Sequence, residues 1–173
     1  GGTVSEGGLL RVTGGTLNLR NINAAGVACT NGGVVYQTGG TVKMYSGTLT
    51  GATVTQKGGT VYQSGGNFYL YGGTITDGKA NVEGGNIYIA AGAKFYAQPE
   101  SNTATATRTI QNGEVTSATV SVYGGNIRSL GTLELNKTAL KGGRAVYEGS
   151  LTNKYAHGGN LYAAGTVTIT NGA

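Results

Sequence analysis

A glycine pair followed two residues later by an apolar-Tyr or apolar-Arg dipeptide returns six times along this chain. The copies are GGLLR at 7, GGVVY at 32, GGTVY at 58, GGNIY at 84, GGNIR at 124 and GGNLY at 158. Their spacings are 25, 26, 26, 40 and 34 residues, which describes one structural unit with insertions in the fourth and fifth copies. The insertions fall at about 98–118 and 136–153. A second run follows each copy behind a small-residue corner: GGTLNLR, GGTVKMY, GGNFYLY, GAKFYA, GTLELN and GTVTIT. A third run precedes the next glycine pair: GVACTN, TVTQK, KANVE, TVSVY and KYAH. Short runs parted by Gly, Asn and Thr corners at this period predict the coils of a β-solenoid. The expected fold is an all-β, right-handed parallel β-helix of about six coils with three strands per coil, one domain over 1–173.

Strand side chains alternate between faces, so the repeat also predicts an interior. Leu10, Val35, Val61, Ile87, Ile127 and Leu161 form one aliphatic column and point inward. The next column, Arg11, Tyr36, Tyr62, Tyr88, Arg128 and Tyr162, points outward. The second run adds Leu17 and Leu19, Val42 and Met44, Phe68 and Leu70, Leu133 and Leu135, and Val167 and Ile169. Phe95 falls one residue out of phase and predicts a shifted corner in the fourth coil. The third run contributes Ala28, Val54, Ala80 and Val120. An isolated coil buries too little apolar surface to offset the cost of ordering itself, so the coils must stack. Asn86, Asn126 and Asn160 occupy one position in three successive coils and read as a corner ladder.

Composition narrows the function classes. Glycine occurs 34 times and proline once, without a G-X-Y period, which excludes collagen. Only 11% of residues are charged and Tyr (11) outnumbers Phe (2), unlike a disordered chain. The net charge of +5 is scattered; the densest grouping, Lys137, Lys141 and Arg144, is too loose to predict a nucleic-acid groove. Cys29 is the only cysteine, so no intrachain disulfide forms, and its VACT setting predicts a small packed residue. No apolar run approaches the ~18 residues of a membrane helix.

The GG-x-[IV]-Tyr repeat with its Gly-Thr-apolar-x-apolar companion resembles the GGA[IV] repeats of polymorphic outer-membrane and other bacterial surface β-helix proteins. The F-x-x-N element that accompanies those repeats is missing here. The resemblance implies a pectin-lyase-type solenoid with an extracellular adhesive or structural role at the cell surface.

Solenoid lyases and hydrolases need clustered carboxylates, as acid and base or as Ca²⁺ ligands. The carboxylates here are Asp77 and Glu6, Glu83, Glu100, Glu114, Glu134 and Glu148, with no two aligned in neighbouring coils. Glu83 aligns instead with Lys57, as an exposed ion pair, and Asp77 in ITDGK reads as a turn residue. His157 stands alone before a glycine pair without aligned metal-ligand partners. No catalytic residue, metal site or cofactor is expected.

Two surface features remain. Tyr36, Tyr62 and Tyr88, with Tyr45, Tyr69 and Tyr71 on the adjoining face, offer a place for glycans or for lateral packing; the alternative is stacking that only stabilises the sheet. Thr-x-Thr pairs of the ice-binding kind do not recur at one position, since the second runs read TLNL, TVKM, NFYL and TVTI. The six residues before the first glycine pair and the sixteen from the last one together make 22, close to one coil. That match predicts either a cut from a longer repeat or protomers stacking head to tail into a filament. The expectation is a non-enzymatic extracellular structural or adhesive solenoid, with a carbohydrate-binding tyrosine face as the alternative. Its expected partners are further copies of itself and surface glycans.

Overall fold

The computed structural model describes residues 6–171, and every strand in it pairs in parallel with its counterpart one coil away. Of the stretches 1–6 and 158–173 behind the head-to-tail reading, residues 1–5 and 172–173 lie outside the described residues. The first face stacks Leu10–Val12, Val35–Gln37, Val61–Gln63, Ile87–Ile89, Ile127–Ser129 and Leu161–Ala163 in that order. The second stacks Thr16–Leu19, Thr41–Met44, Asn67–Leu70, Lys94–Ala97, Thr132–Asn136 and Thr166–Thr170. Both follow the repeat as read from sequence. The fold is a parallel β-solenoid of stacked coils.

Where three strands per coil were expected, the regular coils have four. Behind the second face lies a third, built from Ile22–Ala25, Gly47–Thr50, Gly73–Thr76, Arg108–Gln111 and Thr138–Lys141. The fourth comprises Cys29–Asn31, Thr53–Lys57, Lys79–Ala80, Glu114–Ser117 and Arg144–Tyr147. The third face turns off the second at left-handed residues, Asn21, Gly47, Gly73 and Lys137 among them. Its strands line up an inward column of Ala24, Leu49, Ile75, Ile110 and Leu140, buried in the first four and partly buried at Leu140, with Ile22 packed beside it. One apolar residue among threonines is a weak alternation signal, which is why this strand merges with its neighbours in the sequence.

The extra face relocates several positions. Arg108–Gln111 and Glu114–Ser117 are regular strands inside the stretch read as an insertion, and so are Thr138–Lys141 and Arg144–Tyr147 in the fifth coil. The added chain is confined to 98–107 and 118–121 in the fourth coil and 148–155 in the fifth. On the fourth face the inward residues are Cys29, Val54, Ala80 and Val115, joined by Val122 from a separate short strand; Ala28 and Val120, expected inside, are exposed. Phe95 is fully buried, in register with Phe68, because the corner before it uses four residues (90–93) where the two preceding coils use three. The two rings stack with centroids 4.8 Å apart.

The core is divided in two. The first three faces enclose the larger cluster, and the fourth encloses a smaller one around Val54, Ala80 and Val115. Between them the coil is pinched until backbone meets backbone. Val27 N–H donates to Gly33 O at 2.9 Å, and Ala52 N–H donates to Gly59 O at 3.0 Å. A Cβ on Gly85 would lie 2.1 Å from Gly125 O and 2.3 Å from Glu114 N. The second glycine of each pair therefore marks the waist of the coil.

The asparagines fasten that waist. Asn86 Oδ1 accepts from Gly78 N–H at 2.8 Å, and its Nδ2 donates to Gln111 O at 2.7 Å and to Asn126 Oδ1 at 2.7 Å. Asn126 repeats the pattern with Gly113 N–H, Lys141 O and Asn160 Oδ1. Asn160 accepts from Gly143 N–H at 2.8 Å. Asn86 and Asn126 are fully buried, so the ladder runs inside the solenoid and joins two corners of each coil across the waist.

Candidate functional site

The outward column of the first face lies in a seam beside the residues that precede each glycine pair. Tyr36, Tyr62 and Tyr88 stack along the axis, with centroids 5.0 and 5.3 Å apart and planes within 16°. Tyr36 is only 8% exposed and Tyr88 5%, too enclosed to present ring faces to a sugar. Lys57 Nζ sits 4.5 Å from the Tyr88 centroid and 3.0 Å from Glu83 Oε2, while Arg128 Nε reaches Glu83 Oε1 at 3.6 Å. The Lys57–Glu83 pair read as exposed is thus mostly covered and shares its carboxylate with a second cation. Further along the seam, Arg128 lies over the rings of Tyr123 (5.1 Å) and Tyr162 (4.5 Å). His157, expected to stand alone, stacks on Tyr123 at 5.3 Å and contacts Tyr155 and Tyr162. This seam is a cross-coil brace of rings and charges.

Burial pushes the hydroxyl pKa of Tyr62 up, helped by Tyr36 and Tyr88, and that of Tyr36 up, helped by Glu6. Lys57 feels burial pulling its pKa down, but the hydrogen bond and charge of Glu83, with Tyr88, outweigh it, and the ammonium is held above its ordinary value. Burial also raises the Cys29 thiol, whose Sγ donates to Asn31 O at 3.2 Å. Neither environment suits a nucleophile or a general base, because each favours the proton-bound form.

The remaining tyrosines are arranged differently. Tyr45, Tyr69 and Tyr71 lie on the outer side of the second face, joined by Tyr96, which sequence reading left unassigned. Tyr69 stacks on Tyr96 at 5.0 Å and on Tyr71 at 5.6 Å; Tyr71 meets Tyr45 at 5.3 Å. The Arg20 guanidinium lies 3.6 Å from the Tyr45 centroid. All four tyrosines are half-buried. The sequence signal for Tyr96 was its place beside Phe95: a residue next to an inward ring points outward. The phase shift at the fourth corner hid it.

Asp77 takes φ 57° as a turn residue on the surface, and Glu114 pairs with Arg144 at 3.6 Å. Among the described residues no three His, Cys, Asp or Glu side chains stand close enough to hold a metal ion. A groove of about 510 Å³ beside the 118–121 segment is lined mainly by Thr55, Gln56, Val82, Thr116 and Val120, with Glu148 its lone carboxylate. On the third face Thr48-x-Thr50 and Thr74-x-Thr76 do align, but Gln111 and Lys141 replace the second threonine in the next coils. Comparison with family models, with curated proteins and with solved structures found no match to this chain.

Proposed function

We propose that this chain is a non-enzymatic structural or adhesive solenoid that works outside the cell, of the kind the bacterial surface repeats exemplify. The observation that carries the reading is the pairing of chemically matched residues, coil after coil, into continuous outer rows. Tyr36–Tyr62–Tyr88 and Tyr69–Tyr96 are rows of rings held in register by the backbone ladder. The first row braces a stiff rod and the second repeats a contact point along it, which suits cohesion more than turnover. Filament assembly belongs to the same proposal: each coil pairs with its equivalent throughout, so a coil of a second molecule is an acceptable next partner.

Electron microscopy of the purified chain tests the structural part. Rods or fibres with a ~4.8 Å repeat along the axis are expected. Dispersed monomers at every concentration would remove the filament. Incubation with pectic and other acidic polysaccharides should yield no hydrolysis or β-elimination products, and any turnover abolished by a single carboxylate substitution would remove the non-enzymatic reading.

A further inference from the structure

The outer side of the second face carries cations as well as rings. Lys43, Tyr69, Tyr96 and Glu134 pair in register in successive coils and form one column. Tyr45 and Tyr71 follow the same strands in coils two and three, and Arg20 precedes them in coil one. Lys94 stands in the neighbouring outward column, paired with Asn67. Among the described residues, the hydroxyls of Tyr45, Tyr69, Tyr71 and Tyr96 make no hydrogen bond within the chain, unlike those of Tyr88, Tyr147 and Tyr155.

The segment 98–107 begins where the Lys94–Ala97 strand ends, with Gln98 N–H donating to Leu70 O at 3.1 Å, next to Tyr71 in the chain. Arg108, 4% exposed, fixes its base: Nη1 donates to Tyr71 O at 3.0 Å and Ala106 O at 2.7 Å, and Nη2 donates to Lys137 O at 2.9 Å. Glu100 in this segment lies near enough to Tyr71 to help burial raise its hydroxyl pKa. The acids, Glu100 and Glu134, thus lie at the loop and fifth-coil edges of the cluster, and the cations lie along the rest.

We propose that this face binds an acidic polysaccharide, a chain of uronic-acid or sulfated sugars laid along the solenoid axis. The proposal rests on the adhesive reading and names its ligand class. The rings hold one another upright and offer rims for the apolar side of a pyranose, with phenol hydroxyls as donors to its oxygens. Arg20, Lys43 and Lys94 complement carboxylates or sulfates. From coil one to coil four they span three coil steps, roughly 14 Å, so the ligand is an oligomer rather than a single sugar. Nucleic acid fits less well. Its closely spaced phosphates would meet Glu134 and Glu100 within the same footprint, and it needs more cations than stand here.

Calorimetric titration of the intact chain with polygalacturonate, chondroitin sulfate, dextran and double-stranded DNA tests this. Binding to one of the two acidic polysaccharides, weakened by added salt, is expected, with none to dextran. Lys43→Gln with Lys94→Gln should weaken it about tenfold or more. Tyr69→Ala with Tyr96→Ala should do the same, whereas Tyr88→Ala, in the covered seam, should leave it unchanged. Should the alanine pair fail to fold, Tyr69→Phe with Tyr96→Phe keeps the stacking, removes the hydroxyls and must still weaken binding. Absence of binding to both acidic polysaccharides, indifference to these substitutions, or equal affinity for DNA would each overturn the proposal. If the chain ignores both polysaccharides yet still coats cell surfaces, the ligand is wrong and the adhesive reading stands. If it does neither, both fall.

Discussion

The side-chain amide of Asn86 donates to Oδ1 of Asn126, 2.7 Å away and one coil along, deep inside the solenoid. Each asparagine also takes a backbone N–H from the opposite corner of the preceding coil, so a single residue type links coil to coil and corner to corner. Removing the middle rung should show what that link contributes. Asn126→Ala leaves the Gly113 N–H without its partner and breaks two amide contacts at once. A loss of about 3 kcal/mol is expected, measured by urea unfolding. A change under about 0.5 kcal/mol would mean the ladder is incidental.

Two glycine substitutions should separate close approach from backbone conformation. A Cβ on Gly85 meets backbone atoms of two neighbouring segments at 2.1 and 2.3 Å, so Gly85→Ala should force the waist open and leave little soluble, folded protein. Gly92 has φ +85° but nothing within 4 Å of its Cβ position. Gly92→Ala should therefore cost only the left-handed conformation, about 1–2 kcal/mol, and remain folded by circular dichroism. Equal effects at the two sites would contradict the pinched coil.

Phe68 and Phe95 are fully buried, and their rings stack at 4.8 Å. Phe95→Ala should cost about 3–5 kcal/mol in thermal or denaturant unfolding. Phe95→Leu should recover most of the loss, because apolar volume rather than the ring itself fills the site.

Stability should decline on the alkaline side. The thiol of Cys29, the hydroxyls of Tyr36, Tyr62 and Tyr71 and the ammonium of Lys57 all have pKa values raised in the fold, from ordinary values of 9.0, 10.0 and 10.5 respectively. A group whose folded pKa is raised binds its proton more tightly when folded, so its contribution is complete below the unfolded value and disappears as pH rises through the folded one. Unfolding free energy should therefore fall from about pH 9 upward. Glu83→Gln removes the anion that raises Lys57, and the slope above pH 10.5 should become shallower. An unchanged alkaline slope in that variant would remove Lys57 from the account.

The repeat alone was enough to reveal the solenoid, its six coil starts and two of its faces. The inward columns through Val35, Val61 and Ile87 and through Val42, Phe68 and Leu133 repeat an apolar residue at one strand position in each coil, and that phase is a local property of the sequence. It also aligned Asn86, Asn126 and Asn160, although the reason for their alignment is tertiary. Which backbone lies opposite the glycine pair depends on where the chain returns after the third and fourth strands, and no local pattern encodes that return.

The candidate site was legible only in part, for the same reason. Tyr36, Tyr62, Tyr88, Tyr45, Tyr69 and Tyr71 all read alike as outward aromatics. The stacked coils enclose Tyr36 and Tyr88 in a seam with Lys57 and Glu83, with Tyr62 stacked half-buried between them, while the others join Tyr96 and Arg20 on the second face. Alternation says which side of its own strand a residue takes. What covers that side is set by the neighbouring corner, dozens of residues away along the chain, and only tertiary packing brings the two together.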